Sequence, residues 1–220
     1  MNLSKVYEFF QPEKVDGMVH IVGCGSVGSA LAENMVRIGI KRLTLWDFDK
    51  VEPHNLTNQL FTYNDVGKEK TTALSEILKA INPDVNLELK GQWDGELLSG
   101  YIFLAPDNIE VRQKFVKSNQ YNLNIKAVFD VRTTLCGAQI YSAEWADYLD
   151  KKRFAQTMNF THDEAKKETP TSACGVTLGV VTTVRIASAL AVNNFIKLIK
   201  KQDYWKFIQF DGFLGVFDFF

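Results

Sequence analysis

One stretch, His20-Ile21-Val22-Gly23-Cys24-Gly25-Ser26-Val27-Gly28-Ser29-Ala30-Leu31, constrains what this chain can fold into more than any other. It reads as the end of a buried strand, a glycine turn and the first turns of a helix. The three glycines have separable tasks. Gly23 permits a sharp turn, Gly25 lets backbone approach a phosphate, and Gly28 lets helix and strand pack closely. Beyond the turn, Val27, Leu31, Met35 and Ile38 share one helical face, as a helix lying on a sheet requires. The helix start offers free N–H groups and a partial positive charge to an anion. The turn alone suits several nucleotides, so the residues after it must decide among them.

Periodicity predicts strands at 17–22, 41–46, 85–89, 101–105, 125–130 and 137–143. Helices are expected at 26–38, 68–81, 109–119 and 176–199. Gly39 follows the first helix, where a residue of positive φ commonly closes the last turn. Asp47 ends the second strand about 20 residues beyond the turn, where a carboxylate meets ribose hydroxyls; a plain turn aspartate is the alternative. Asp107 and Asn108 lie past the fourth strand's carboxyl end, where open α/β sheets hold ligands. The alternation implies an α/β fold with a doubly wound, mostly parallel, Rossmann-like sheet and helices on both faces. Asp211-Gly212 between two apolar runs predicts a C-terminal antiparallel hairpin. The whole chain, 1–220, is read as one domain. Its nucleotide-binding core spans 17–146, a polar crossover with one short helix spans 147–172, and the long helix and terminal hairpin occupy 173–220.

With 46% hydrophobic and 12% aromatic residues the chain can bury a substantial core. A formal net charge of −1 and no basic stripe argue against nucleic acid as partner. Cys24, Cys136 and Cys174 are scattered and form no CxxC pair, so neither a disulfide framework nor zinc is expected. The first residues lead into no apolar signal core, which makes a cytoplasmic address the expectation. Residues 176–199 are long and apolar enough to suggest a membrane span. Arg185, Asn193 and Asn194 interrupt that run, with Thr182, Thr183 and Ser188 adding hydroxyls, and a buried helix fits better.

Five separated motifs, GCGSVGS, LTLWDFD, NLTNQ, VGKEK and APDNIEVR, occur in one order. Together they resemble the ubiquitin-activating-enzyme-like adenylyltransferases, the family of HesA, MoeB and ThiF, in its compact bacterial and phage-type branch. The likeness runs from about residue 17 to about residue 200. It implies an enzyme that uses ATP and Mg²⁺ to adenylate a C-terminal carboxylate, that of a ubiquitin-like protein, a sulfur-carrier protein or a peptide. It also implies a homodimer. On this resemblance Gly23, Gly25 and Gly28 match the nucleotide-binding turn and Asp47 the ribose carboxylate. Asn55 and Gln59 match the asparagine and glutamine of the family's NLxRQ pattern. Lys70 matches the lysine on the ATP phosphates, Asp107 the aspartate engaging Mg²⁺, and Asn108 its neighbour at the nucleotide. The chemistry needs these types. An anionic carboxylate must attack an anionic triphosphate, and cations on the phosphates reduce that repulsion. Taken singly, Lys70 could be a solvated residue on a helix's first turn and Asp107 a helix cap.

The sequence departs from the pattern at two places. Asn58 stands where the family has a phosphate-binding arginine. Arg112 and Arg132 are the available cations, and Arg132 is taken as the substitute; pairing of Arg132 with Asp130 is the equal alternative. Cys174 lies before the long helix, where some relatives carry a thioester-forming or sulfur-handling cysteine, and packing is the competing role. Two rival functions stay open: an NAD-dependent oxidoreductase built on the same turn, and a catalytically degenerate nucleotide-binding scaffold.

Overall fold

The computed structural model describes residues 1–164, 171 and 178–220. In chain order the elements are β1 (Val19–Val22), α1 (Ser26–Arg37), β2 (Arg42–Trp46), α2 (Lys70–Ile81), β3 (Asn86–Lys90) and β4 (Gly100–Leu104). There follow α3 (Ile109–Asn119), β5 (Ile125–Thr133), β6 (Gly137–Glu144), α4 (Tyr148–Gln156), α5 (Val181–Ile199), β7 (Phe207–Asp211) and β8 (Val216–Phe219). The strands form one sheet in the order β3-β2-β1-β4-β5-β6-β7-β8. Strands β1 to β5 run parallel, and β6, β7 and β8 extend the sheet antiparallel. This is the doubly wound, Rossmann-like α/β fold with a terminal hairpin.

The chain runs from β1 outward to β2 and β3, then returns to lay β4 on β1's other side. That reversal opens a crevice at the carboxyl ends of β1 and β4, the place where such sheets hold ligands. Each face of the sheet has its own apolar core. One face packs Ile21, Leu45, Phe103 and Phe129 under α1, α2 and α5. Phe103 and Phe129 stack at 4.8 Å, and Phe195 of α5 meets both edge-on. The other face packs Ile102, Leu104 and Val128 against Phe115 of α3 and Phe154 of α4.

Helix α1 starts directly from the glycine turn, with Gly25 as its N-cap, and the Ser29 N–H bonds Gly25 O at 2.9 Å. It ends at Gly39, whose φ of 98° lets the Ile40 N–H return to Met35 O. The buried polar groups that interrupted the apolar run of α5, Thr183, Ser188 and Asn194, have partners, while Thr182 and Asn193 are exposed. Asn194, fully buried, bonds Ser142 Oγ and both backbone groups of Trp205, while Arg185 pairs with Glu33 of α1. Among the described residues no helix is long and apolar enough to cross a membrane.

Four expectations need correction. The fifth strand runs to Thr133 rather than stopping at 130, because β6 pairs with it antiparallel through Arg132 and Thr133. The short helix expected after 147 is present as α4, nine residues capped by the Asp147 carboxylate and seated by Phe154 on Trp145 at 5.7 Å. Residues 178–180 are not helical, so α5 begins at Val181 instead of 176, and α2 begins at Lys70 instead of 68. The hairpin turn occupies 212–215 rather than Asp211-Gly212 alone. Asp211 accepts from the Phe213 and Leu214 N–H groups, and Gly215 takes the left-handed conformation at φ 69°.

Two stability outcomes follow from β1. A Cβ on Gly28 would lie 1.7 Å from Gly23 O, so Gly28→Ala should cost at least about 3 kcal/mol, read as a lower urea midpoint. His20 accepts a hydrogen bond from Trp46 Nε1 and is buried, which pushes its pKa down to about 4. An unfolded histidine titrates near 6.5, so the unfolded chain binds the extra proton between these values. Stability should therefore fall by about 3 kcal/mol as pH drops through that window. His20→Gln should remove that component, as urea unfolding at about pH 7 and about pH 4.5 would show.

Candidate nucleotide site at the crevice

The glycine turn sits at the divergence of β1 and β4. At Gly23, φ is +90°, and a Cβ would lie 2.7 Å from Ala105 O, so the two strand ends touch through bare backbone. The Gly23 N–H donates to Trp46 O, and the Ala105 N–H to Val22 O, each at 2.8 Å. At Gly25 a Cβ would face open space, with only Gln59 Nε2 as near as 4.0 Å. That backbone is free for the approach of an anion.

Asp47 reaches under the turn. Its Oδ2 accepts from the Cys24 N–H at 2.7 Å and its Oδ1 from the Asp49 N–H at 2.8 Å. Burial pushes its carboxyl up from the ordinary range, opposed by those two N–H groups and by Lys70. The bond to Asp49 closes a tight local turn that aims a second carboxylate at the site. Lys70 Nζ sits 2.8 Å from Asp49 Oδ2, and the Lys70 N–H donates to Asp49 O. The lysine is nearly enclosed and the aspartate half exposed, so the pair presents its anionic side to solvent. Spacing did not single out Asp49, although its place two residues after Asp47 was a usable signal.

The NLTNQ stretch is a 3-10 helix, Pro53–Thr57, followed by Asn58 and Gln59. Buried Asn55 accepts the Glu52 N–H at 2.9 Å and so fixes its own loop. The Ser29 hydroxyl accepts the Leu60 N–H, which moors the loop to α1. Gln59 Oε1 is enclosed without a partner among the described residues, beside the bare Gly25. Asn58 turns away, donating through Nδ2 to Gly179 O at 3.2 Å.

Across the crevice, Asn108 rather than Asp107 caps α3, accepting the Glu110 N–H at 2.8 Å. Asp107 is exposed and makes no side-chain hydrogen bond or ion pair among the described residues. Gly23, Gly25, Asp47, Asp107 and Asn108 thus lie at the carboxyl ends of β1, β2 and β4 or on loops leading from them, with Gly28 and Lys70 in the first turns of α1 and α2. Arg132 is engaged elsewhere. It pairs with Asp130 at 2.7 Å, donates to Thr157 O and Oγ1, and lies 4.5 Å over the Tyr141 ring. Arg112 takes the other oxygen of the fully buried Asp130 at 2.6 Å. The pairing alternative for Arg132 is the one the geometry displays, and the Thr157 contact carried no sequence signal. Cys174 lies outside the described residues.

A Rossmann-type sheet with a bare glycine turn, a strand-end carboxylate and an enclosed lysine defines the nucleotide-binding class of doubly wound proteins. Within that class, the ThiF family model matches residues 3–219, and the chain belongs to the ThiF family. Ubiquitin-like modifier-activating enzyme 5 of Drosophila erecta is 44% identical over 89 residues, covering 40% of this chain and 21% of that protein. The Drosophila simulans enzyme of the same name is 43% identical over 88 residues, with the same coverage. The chain therefore spans about a fifth of the length of these curated relatives. Among solved structures, PaaA overlays with a TM-score of 0.73 at 16% identity. Escherichia coli MccB with ATP overlays at 0.72 and 18%. Each overlay covers 95% of this chain and 65% of the other, and supports the fold.

Cys24 is enclosed in the turn, its thiol pushed well up by burial and by the Asp47 carboxylate. Cys136 is partly accessible. Iodoacetamide on the native protein, read by peptide mass mapping, should label Cys136 and leave Cys24 unmodified until denaturant is added.

Proposed function

We propose that this chain is an ATP-dependent adenylyltransferase acting on the C-terminal carboxylate of a ubiquitin-like or sulfur-carrier protein or of a peptide. The observation that carries the reading is Lys70. It is an enclosed ammonium beside the glycine turn whose described partner, Asp49, is half exposed, so a phosphate can take that partner's place. Family membership and the modifier-activating relatives support the same reading, as does MccB solved with AMPCPP and MccA together.

In this reading the bare N–H groups at Gly25 and the start of α1 hold the phosphates, and Asp47 holds the ribose. Lys70 moves from Asp49 to the triphosphate and offsets charge on the departing pyrophosphate. A substrate carboxylate oxygen bonds to the α-phosphorus, the bond from that phosphorus to the bridging oxygen breaks, and pyrophosphate leaves with the electron pair. The products are an acyl-adenylate and pyrophosphate, and no covalent enzyme intermediate is needed. Asn55, Gln59 and Asn108 border the nucleotide.

Mg²⁺ fits the donor set. Among the described residues there is no cluster of three or more histidine, cysteine or carboxylate side chains that could hold a metal. Mg²⁺ is commonly held by one or two carboxylates together with substrate phosphates and water, and the exposed Asp107 at the crevice could supply one. The ion would reduce the negative charge of the triphosphate. A cytoplasmic homodimer completes the proposal. The edge strand β8 exposes Val216, Phe217 and Phe219, apolar surface that a second subunit could cover.

ATP–pyrophosphate exchange with candidate ubiquitin-like proteins and peptides tests the activity. Lys70→Ala and Asp107→Ala should each lower exchange by roughly a hundredfold or more. Exchange indifferent to both substitutions, or binding of NAD(H) without ATP, would overturn the assignment.

A further inference from the structure

Position 58 is where this chain departs from the family pattern, and the asparagine there has a specific partner. Asn58 Nδ2 donates to Gly179 O at 3.2 Å, and a Cβ on Gly179 would stand 2.7 Å from that same nitrogen. The contact thus needs a short amide at 58 and no side chain at 179. A guanidinium on a longer stem could not occupy the gap. Both sides of the contact are anchored. Asn58 closes the 3-10 helix, its N–H returning to Asn55 O, and two residues later the Leu60 N–H is held by Ser29 of α1. Gly179 leads into α5, whose first helical bond runs from the Val184 N–H to Val180 O at 3.2 Å. Thr183 Oγ1 in that turn donates to Leu135 O, and Arg185 pairs with Glu33.

We infer that Asn58 is a positioning residue that fastens the entry of α5 to the loop beside the glycine turn. It thereby couples occupancy of the phosphate site to the order of that entry. Gln59, its chain neighbour, lies alongside Gly25, so a phosphate on the turn stiffens the loop that holds Gly179. By linkage, the fastening and the ligand strengthen each other equally. Position 58 is then not a weakened phosphate ligand, and restoring arginine would loosen the entry rather than improve binding. The coupling rests on the adenylation reading; the fastening does not.

Amide hydrogen exchange on the full chain without nucleotide tests the fastening. Asn58→Ala, the isosteric Asn58→Asp, Asn58→Arg and Gly179→Ala should each speed exchange of the Val184 amide by roughly three- to tenfold, the scale of one lost hydrogen bond. The Phe115 amide in α3 should not change. The Asn58→Ala/Gly179→Ala double variant should match either single variant, since both remove one contact. Wild-type rates at Val184 in Asn58→Arg, together with at least tenfold tighter ATP binding, would overturn the inference and make position 58 a vacant phosphate ligand. Additive effects in the double variant would also overturn it. In a second arm, ATP should slow Val184 exchange in the wild type and not in Asn58→Ala; equal slowing in both would sink the coupling. A wild-type chain that binds no ATP would overturn the proposed function and the coupling together, while the nucleotide-free rates still decide the fastening.

Discussion

The close crossing of α1 over the end of β1 is the constraint on which the rest of the site depends. Gly28 and Gly23 O are so near that no side-chain carbon fits between them. With the helix pressed onto the strand, its start, which no side chain caps, stays at the crevice and the Cys24 N–H drops onto the Asp47 carboxylate. The same geometry leaves Gly23 against Ala105, which draws the ends of β1 and β4 together. Separating helix from strand by one methyl group would move the bare backbone of the turn, the Asp47 carboxylate and the loop carrying Asp107 relative to one another.

Charge is distributed around that crossing in two unlike ways. At the mouth, Lys70 and Asp49 form a partly exposed pair that solvent and ligand can reach, so its partners can be exchanged. Deeper along β5, Asp130 is fully enclosed and takes one arginine on each oxygen, Arg112 from α3 and Arg132 from its own strand. Thr157 at the end of α4 finishes the second arginine. Stripping a partner from such an enclosed group leaves an uncompensated charge, which is strongly destabilising. The exchangeable pair suits chemistry, and the sealed triad holds α3, β5 and α4 in place.

Elements whose signal is local were readable from the chain alone. The parallel strands announce themselves as short apolar runs, and α1, α3 and the body of α5 by helical spacing and a following Gly39 or preceding Asn108. Asp47, Lys70 and Asp107 were singled out because ordered motifs surround them, and the pairing of Lys70 with Asp49 is what the sequence did not indicate. The short helix in 147–172 was expected, but its place was obscured because the charged run Asp150-Lys151-Lys152-Arg153 resembles a solvated surface, whereas Asp150 is buried under Tyr204 and Lys206. The role of Asp130 and the reach of Arg132 to Thr157 depend on β5 and α4 meeting in space. No spacing along the chain encodes that meeting. The contact between Asn58 and Gly179 joins residues far apart in sequence and was equally invisible.

The packing of α1 against α5 has a consequence for how the molecule comes into being. The first helix of the chain is covered by the last one, joined through Arg185 and Glu33 and through Ser188 and Asn34. During synthesis the glycine turn and its strand emerge early. The apolar face of α1 then waits on the order of ten seconds for α5 to leave the ribosome. Over that interval the nascent chain exposes the surface that chaperones bind, and no vectorial, strand-by-strand order can complete the nucleotide crevice. The turn is written well before the helix that covers its own helix.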